Sequence, residues 1–247
     1  MTSQIEVGSW VKSQGRKGFV RDYCDKYHVL VRWVGENRAS RCYVKDLKIC
    51  NPPRALLLEG SLDRQLHSTR SEEDMLRTWL RTHNVLLAFK NIHVLDDIDM
   101  IGKAIGQNKP SFVHISCHGN LDDENRPYIV LPPKYTKDDY IYLDDSKTID
   151  VFKKHFSGLP ILFSACLLGR YQTQMTEFRQ SAGLLQVAAF TRVIYDYEAI
   201  LFELLVYHGI LENGWNFSMS IDKANKALSE ILVRGSRGRN QILARVF

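Results

Sequence analysis

Hydrophobic and polar positions change rhythm at Asn51-Pro52-Pro53. Ahead of that point, short apolar runs are punctuated by turn residues. Ser9-Trp10-Val11, Gly18-Phe19-Val20-Arg21, Tyr27 to Val34 and Arg41-Cys42-Tyr43-Val44 read as strands, with Gly15, Gly18 and Gly35-Glu36-Asn37 supplying the turns. Strands this short and this regularly broken predict a small all-β barrel over residues 1–50. The prolines mark 51–53 as a linker.

From residue 54 onward, apolar runs of strand length alternate with stretches of helical period. Arg54 to Leu58, Ile92 to Leu95, Ser111 to Ser116, Pro160 to Ser164 and Leu184 to Phe190 are the expected strands. Ser71-Glu72-Glu73-Asp74 offers an N-cap followed by acids, ahead of Met75, Leu76, Trp79 and Leu80 at helical spacing. Further helices are predicted over Asp97 to Ile105, Thr148 to Phe156, Gln172 to Gln180, Asp196 to Leu211 and Phe217 to Leu232. A polar, turn-rich stretch over 120–126 leads into a hairpin at Tyr128 to Leu131. Strands joined through helices need crossover connections, which predicts a mostly parallel sheet with helices on both faces. The expected architecture is therefore an α/β domain over 54–247 preceded by the all-β barrel.

Composition narrows the class. With 45% apolar and 25% charged residues in 247, the chain fits an ordinary globular protein. Its most apolar run, Ala199 to Leu211, is interrupted by Glu203 and His208 and is too short to span a bilayer, so no membrane partner is expected. The first residues lack the basic start and apolar core of a secretory signal. Five cysteines, at 24, 42, 50, 117 and 166, are odd in number and never spaced C-x-x-C, which predicts free thiols in a reducing, cytoplasmic setting.

Charge alters the picture further. Residues 1–50 hold ten Lys and Arg against five Asp and Glu, a net +5, while 51–247 hold 23 of each. Arg234, Arg237, Arg239 and Arg245 make the last fourteen residues basic with no acid among them. A basic segment and a basic tail point to an anionic partner such as a nucleotide, nucleic acid or acidic protein, set against the plainer reading of a charged, solubilising rim. Trp10, Tyr23, Tyr27, Trp33 and Tyr43 are numerous for so short a stretch; some are expected to fill the barrel core, set against one or two in an aromatic groove for a peptide or base. The layout is similar in pattern to SH3-like, Tudor and KOW modules.

Two of the predicted strands end in reactive side chains. One terminates in Ser116-Cys117-His118-Gly119 and another in Ser164-Ala165-Cys166. Ligands of open α/β sheets bind beyond the carboxyl ends of the strands. If the two strands are parallel neighbours, His118 and Cys166 meet across that edge although 48 positions separate them. A free thiol titrates at about 8.5 and is little ionised at neutral pH. An imidazole beside it can take the proton, raise the thiolate fraction and later protonate a leaving amine. Gly119 permits close backbone approach, so its N–H joins that of Cys166 as a candidate oxyanion donor. Cys117 alternates to the opposite face and reads as packing. His114, Cys117, His118 and Cys166 do not follow the usual spacing of a zinc set.

The order and spacing of these segments resemble the caspase-like cysteine peptidases, and among them the CHAT family, relatives of separase. The resemblance covers most of 54–232: the opening strand Arg54 to Leu58, the strand running into His118-Gly119, the strand running into Ala165-Cys166, Gly183 to Phe190 followed by Asp196, Ala199 and Phe202, and the helix with Ala224 and Ala227. It implies a caspase-like fold and peptide-bond hydrolysis, with Cys166 as nucleophile, His118 as base and acid, and no metal or cofactor. Leu167-Leu168-Gly169 departs from the Arg/Gln-Gly that follows the cysteine in caspases, so aspartate specificity does not carry over.

Two residues compete for substrate selection. Arg192 sits where caspase-like folds place a wall of the specificity pocket and would favour an acidic side chain. Asp196 would favour a basic one, as in separase-like relatives, or would simply cap the following helix. Ser116 and Ser164 flank the catalytic positions and are expected to shape the pocket floor. The expected function is a cysteine endopeptidase acting on a protein substrate, a regulated effector activated by a partner or nucleotide ligand, in a role such as bacterial antiviral defence. The alternatives are a catalytically silent caspase-like adaptor and an anionic-ligand or nucleic-acid-binding protein.

Overall fold

The computed structural model describes residues 5–34, 36, 38–60, 72–82, 85–106, 108–132, 139–231 and 242–247. The expected turn residues Gly35 and Asn37, the cap Ser71, Leu232, and the tail arginines 234, 237 and 239 lie outside them.

Near the N-terminus, β1 (Trp10–Ser13), β2 (Arg16–Asp25), β3 (His28–Trp33), β4 (Ser40–Tyr43) and β5 (Lys48–Ile49) form an antiparallel sheet in the order β4-β3-β2-β1-β5. Side-chain alternation turns Val29, Val31 and Trp33 of β3 inward, where they meet Val11, Val20 and Leu47. The opposite face carries Arg32 and, level with it on β2, Phe19. Arg21 and Arg32 reach across to Glu212, with N···O distances of 3.1 and 3.4 Å, and tie this sheet to the rest of the molecule.

The remaining elements are β6 (Arg54–Glu59), α1 (Glu72–Thr82), β7 (Leu86–Asn91), α2 (Leu95–Ile105), β8 (Phe112–Ser116), β9 (His118–Leu121), β10 (Pro127–Leu131), β11 (Asp139–Tyr142), α3 (Ser146–Phe156), β12 (Pro160–Ser164), α4 (Gln172–Ser181), β13 (Gln186–Phe190), α5 (Asp196–Leu211), α6 (Phe217–Ile231) and β14 (Ala244–Val246). Six of the strands form the central sheet in the order β14-β13-β12-β8-β6-β7, parallel except for β14. The expected mostly parallel α/β sheet with helices on both faces is therefore present. One apolar layer joins the sheet to α2, α3 and α4 through Ile98, Phe152, Phe156 and Phe178. The other joins it to α1, α5 and α6 through Leu76, Phe202, Tyr207 and Leu228. The central strands are buried on both sides, which is why they read as continuous apolar runs.

The edges differ from expectation. The second strand is Leu86–Asn91, not Ile92 to Leu95; Ile92 lies just beyond it and Leu95 opens α2. As an edge strand, β7 is only half-buried, and its Lys90 and Asn91 masked it in the apolar pattern. The hairpin expected around Tyr128 is a three-stranded sheet, β11-β10-β9, whose first strand begins at His118. The basic C-terminus supplies β14, which closes the far edge against β13.

Between β12 and α4 the chain makes a single 3-10 turn at Leu168–Arg170, entered through Leu167 in the left-handed region at φ 67°. Gly169 lies so close to β13 that an added Cβ would stand 2.2 Å from the Ala189 carbonyl oxygen. Gly169→Ala is therefore expected to destabilise the fold by about 1–3 kcal/mol through overpacking, measured by urea unfolding at constant slope.

Candidate active site

Parallel pairing of β8 with β12 sets Ser116 level with Ser164, and the pairing continues one step further through Cys117 N–H donating to Ser164 O at 3.1 Å. Two residues past Ser116 stands His118; two residues past Ser164 stands Cys166. Both residues therefore follow the carboxyl ends of adjacent central strands, His118 as the first residue of β9 and Cys166 in the turn after β12.

Alternation also assigns them a side. Val113, Ile115 and Cys117 belong to the layer facing α2, α3 and α4, and so do Ile161, Phe163 and Ala165. Phe112 and Leu162 belong to the opposite layer, facing α5 and α6. Continued alternation would give His118 and Cys166 the parity of Phe112 and Leu162, and Cys166 lies beside Ile194, just ahead of α5. Cys117 is buried in the core, as its parity predicts. His114 shares the parity of His118 but lies deep in the sheet, its Nδ1 2.6 Å from the Tyr207 hydroxyl.

The sulfur is held by the segment between β13 and α5. Ile194 N–H donates to Cys166 Sγ at 3.5 Å, and the Ile194 carbonyl lies 4.0 Å from it. Leu167 N–H donates to the Arg192 carbonyl at 3.4 Å, fastening the turn after the cysteine to the same segment. Cys166 is half-buried and His118 is exposed at the rim; among the described residues no hydrogen bond joins the two side chains. Gly119 pairs with Ile129 in the β9–β10 ladder and packs against the turn: a Cβ there would stand 2.8 Å from Leu168 Cγ and 3.1 Å from the Cys166 carbonyl oxygen. Glycine at 119 thus lets the histidine strand lie against the cysteine turn.

The other predicted residues fall as follows. Ser116 and Ser164 are buried, one level beneath the rim, and support its floor without opening onto it. Arg192 is committed: its Nη1 and Nη2 donate to the two carboxylate oxygens of Glu198 at 3.1 and 3.2 Å. Asp196 is exposed in the first turn of α5. It is not the cap; the N-cap is Tyr195, whose N–H donates to Glu198 at 3.2 Å. Asp196 instead complements the positive end of the helix dipole.

Glu198 is the residue that sequence reading missed. It is 0% exposed and neutralised by the bidentate arginine fork, so a single carboxylate anchors both ends of the segment that contacts the sulfur. The only signal in the sequence was an acid at the third helical position, a capping-box spacing. A cavity of about 620 Å³ lies at the opposite rim of the sheet, lined by Ala55, Leu87, Met100, Ile105 and Pro110, far from this chemistry. Among the described residues, no helix is long and apolar enough to cross a membrane.

Replacing Glu198 with Gln keeps an acceptor for Tyr195 but removes the charge that the Arg192 fork requires. A stability loss of about 2 kcal/mol is expected from the weakened charged hydrogen bonds. The Ile194 amide should exchange faster with solvent while the amides of β12 keep their protection, read by hydrogen-exchange NMR.

No protein-family model matches the sequence, and no curated protein matches it. Among solved structures, the chain is similar to a secreted C11 cysteine protease from Bacteroides thetaiotaomicron, in complex with an irreversible peptide inhibitor. The TM-score is 0.47 and the identity 9%, over 78% of this chain and 65% of that one, so the chain spans less than two thirds of that protease. A likeness of this degree carries no functional argument.

Proposed function

We propose that the chain is a cysteine endopeptidase in which Cys166 is the nucleophile and His118 the general base and acid. The observation that supports this reading is the register of β8 with β12, which pairs Ser116 with Ser164 and leaves His118 and Cys166 each two residues beyond that pair. His118 takes the proton from the thiol, and Sγ adds to the carbonyl carbon of the scissile bond. Backbone N–H groups of Gly119 and Cys166 face the resulting oxyanion. The tetrahedral adduct collapses as His118 protonates the departing amine, leaving a thioester. Water, deprotonated by His118, then hydrolyses that thioester and frees Cys166. The exposed rim lets His118 adjust toward the sulfur when substrate binds, since catalytic hydrogen bonds are often long before the substrate complex forms.

The charge arrangement favours a lysine or arginine before the cut. Arg192 is already matched by Glu198, so its guanidinium is engaged and not free for an acidic substrate side chain. Asp196 is exposed at the start of α5 and offers a carboxylate to a basic one. Regulation is assigned to the N-terminal sheet, because Arg21 and Arg32 grip Glu212 just past the end of the same helix whose beginning frames the sulfur. A regulated effector protease of this kind would suit a role in bacterial antiviral defence.

A peptide-library digest followed by mass spectrometry, with and without candidate activators, tests the reading. Cleavage after basic residues is expected, abolished by Cys166→Ala and slowed about 100- to 10,000-fold by His118→Ala at unchanged melting temperature. Cleavage that survives Cys166→Ala, or labelling by a thiol-reactive electrophile no faster at Cys166 than at buried Cys117, would leave an adaptor in place of an enzyme.

A further inference from the structure

Part of the basic excess of the N-terminal segment is gathered in one row of its sheet. Register pairs Lys12 of β1 with Lys17 of β2 on one side and with Lys48 of β5 on the other. Three lysines therefore stand in one row across three adjacent strands, and all three are exposed. With strands about 4.8 Å apart, the row spans about 10 Å. Like charges directly opposite each other repel and destabilise a sheet. None of the three makes an ion pair with an acidic side chain among the described residues.

The arginines of the same sheet are used differently. Arg16 pairs with Glu36, Arg41 with Asp25, and Arg21 and Arg32 with Glu212. Planar guanidinium forks are thus spent on carboxylates inside the molecule, while the ammonium row is left to solvent. Burial pushes the Cys50 thiol up, and Lys17 and Lys12 draw it back, so their field reaches inward from the row.

We propose that this row is a binding surface for the phosphodiester backbone of a nucleic acid. Lysine binds phosphate as a flexible point charge, and a line of such charges follows a strand of phosphates without reading its sequence. Trp10 and Phe19, paired in register two positions along from Lys12 and Lys17, are buried, so next to the row the sheet presents charge, while its exposed rings, Tyr23, Tyr27 and Tyr43, lie on β2, the β2–β3 turn and β4. Recognition is therefore of the backbone, indifferent to base. This surface is independent of the peptidase reading and stands or falls separately.

The test is fluorescence anisotropy of the full chain with a labelled 20-nucleotide single-stranded RNA, its DNA counterpart and a duplex, titrated at several salt concentrations. Three phosphate contacts predict a log–log slope of affinity against salt of about −2 for single strands. Lys12→Gln/Lys17→Gln/Lys48→Gln should weaken binding at low salt at least about tenfold and flatten that slope. A charge-matched control, Lys109→Gln/Lys153→Gln/Lys226→Gln, should change affinity less than twofold. Relative affinities in the three arms identify the form of nucleic acid. No salt-dependent binding by the wild type, equal losses in both triple variants, or competition by polyglutamate as effective as by nucleic acid would each overturn the proposal.

Discussion

The parallel register between β8 and β12 is the constraint on which the rest of the site depends. Val113, Ile115, Ile161 and Phe163 are fully buried on one side of that pair, and Phe112 and Leu162 on the other. Each such side chain contributes about 1.5–3 kcal/mol by leaving water. A slip of one residue would exchange the two faces of either strand and forfeit those contacts, so packing holds the register firmly. The same register decides where the two strands end. His118 and Cys166 are consequences of core packing in their position, although neither is a core residue.

Helix α5 links the second half of the molecule to both the site and the N-terminal sheet. Two acids, Glu198 and Glu212, stand near its two ends with opposite purposes. Glu198 is buried at the beginning, where it accepts from Tyr195 and the Arg192 fork and shapes the segment around the sulfur. Glu212 follows the end, where Arg21 and Arg32 converge on it from the other sheet. Buried carboxylates are tolerable only when paired and hydrogen-bonded. These two are paired with arginines from different parts of the chain. The ends of α5 therefore act as fixed points, with an apolar stretch through Phe202, Val206 and Tyr207 packed against the sheet between them.

Function in such a fold lies at its margins. The central strands are apolar and interchangeable in role; the reactive groups occur where strands run out and backbone turns sharply. Leu167 adopts a conformation that side chains other than glycine seldom take, immediately after the cysteine. Gly169 and Gly119 occupy places where a methyl group would strike the neighbouring backbone or side chains. Small residues and one strained residue let the turn after β12 touch β9 on one side and the segment ahead of α5 on the other.

Much of this was legible in the sequence. Buried parallel strands leave continuous apolar runs, so β8 and β12 were found with their ends, and Ser-Cys-His-Gly and Ser-Ala-Cys were visible there as reactive termini. Helix α5 was found at its full length because its mostly apolar run has helical length, although its cap is Tyr195 and not Asp196. Edge strands β7 and β14 were hidden: β7 has no buried residue, and its Leu86 to Phe89 are all apolar, with no alternation of apolar and polar positions, while β14 is only three residues long. The alliance of Arg192 with Glu198 was hidden too: six positions apart across a loop and a helix start, it follows no regular spacing. The lysine row needed antiparallel register to bring residues 12, 17 and 48 together. Local pattern alone determined the elements and the chemical character of their ends, because propensity and burial act along the chain. Which charges meet, which remain open to solvent and which backbone segments touch the sulfur were decided only by tertiary structure, because those relations depend on distance in space and not on distance in sequence.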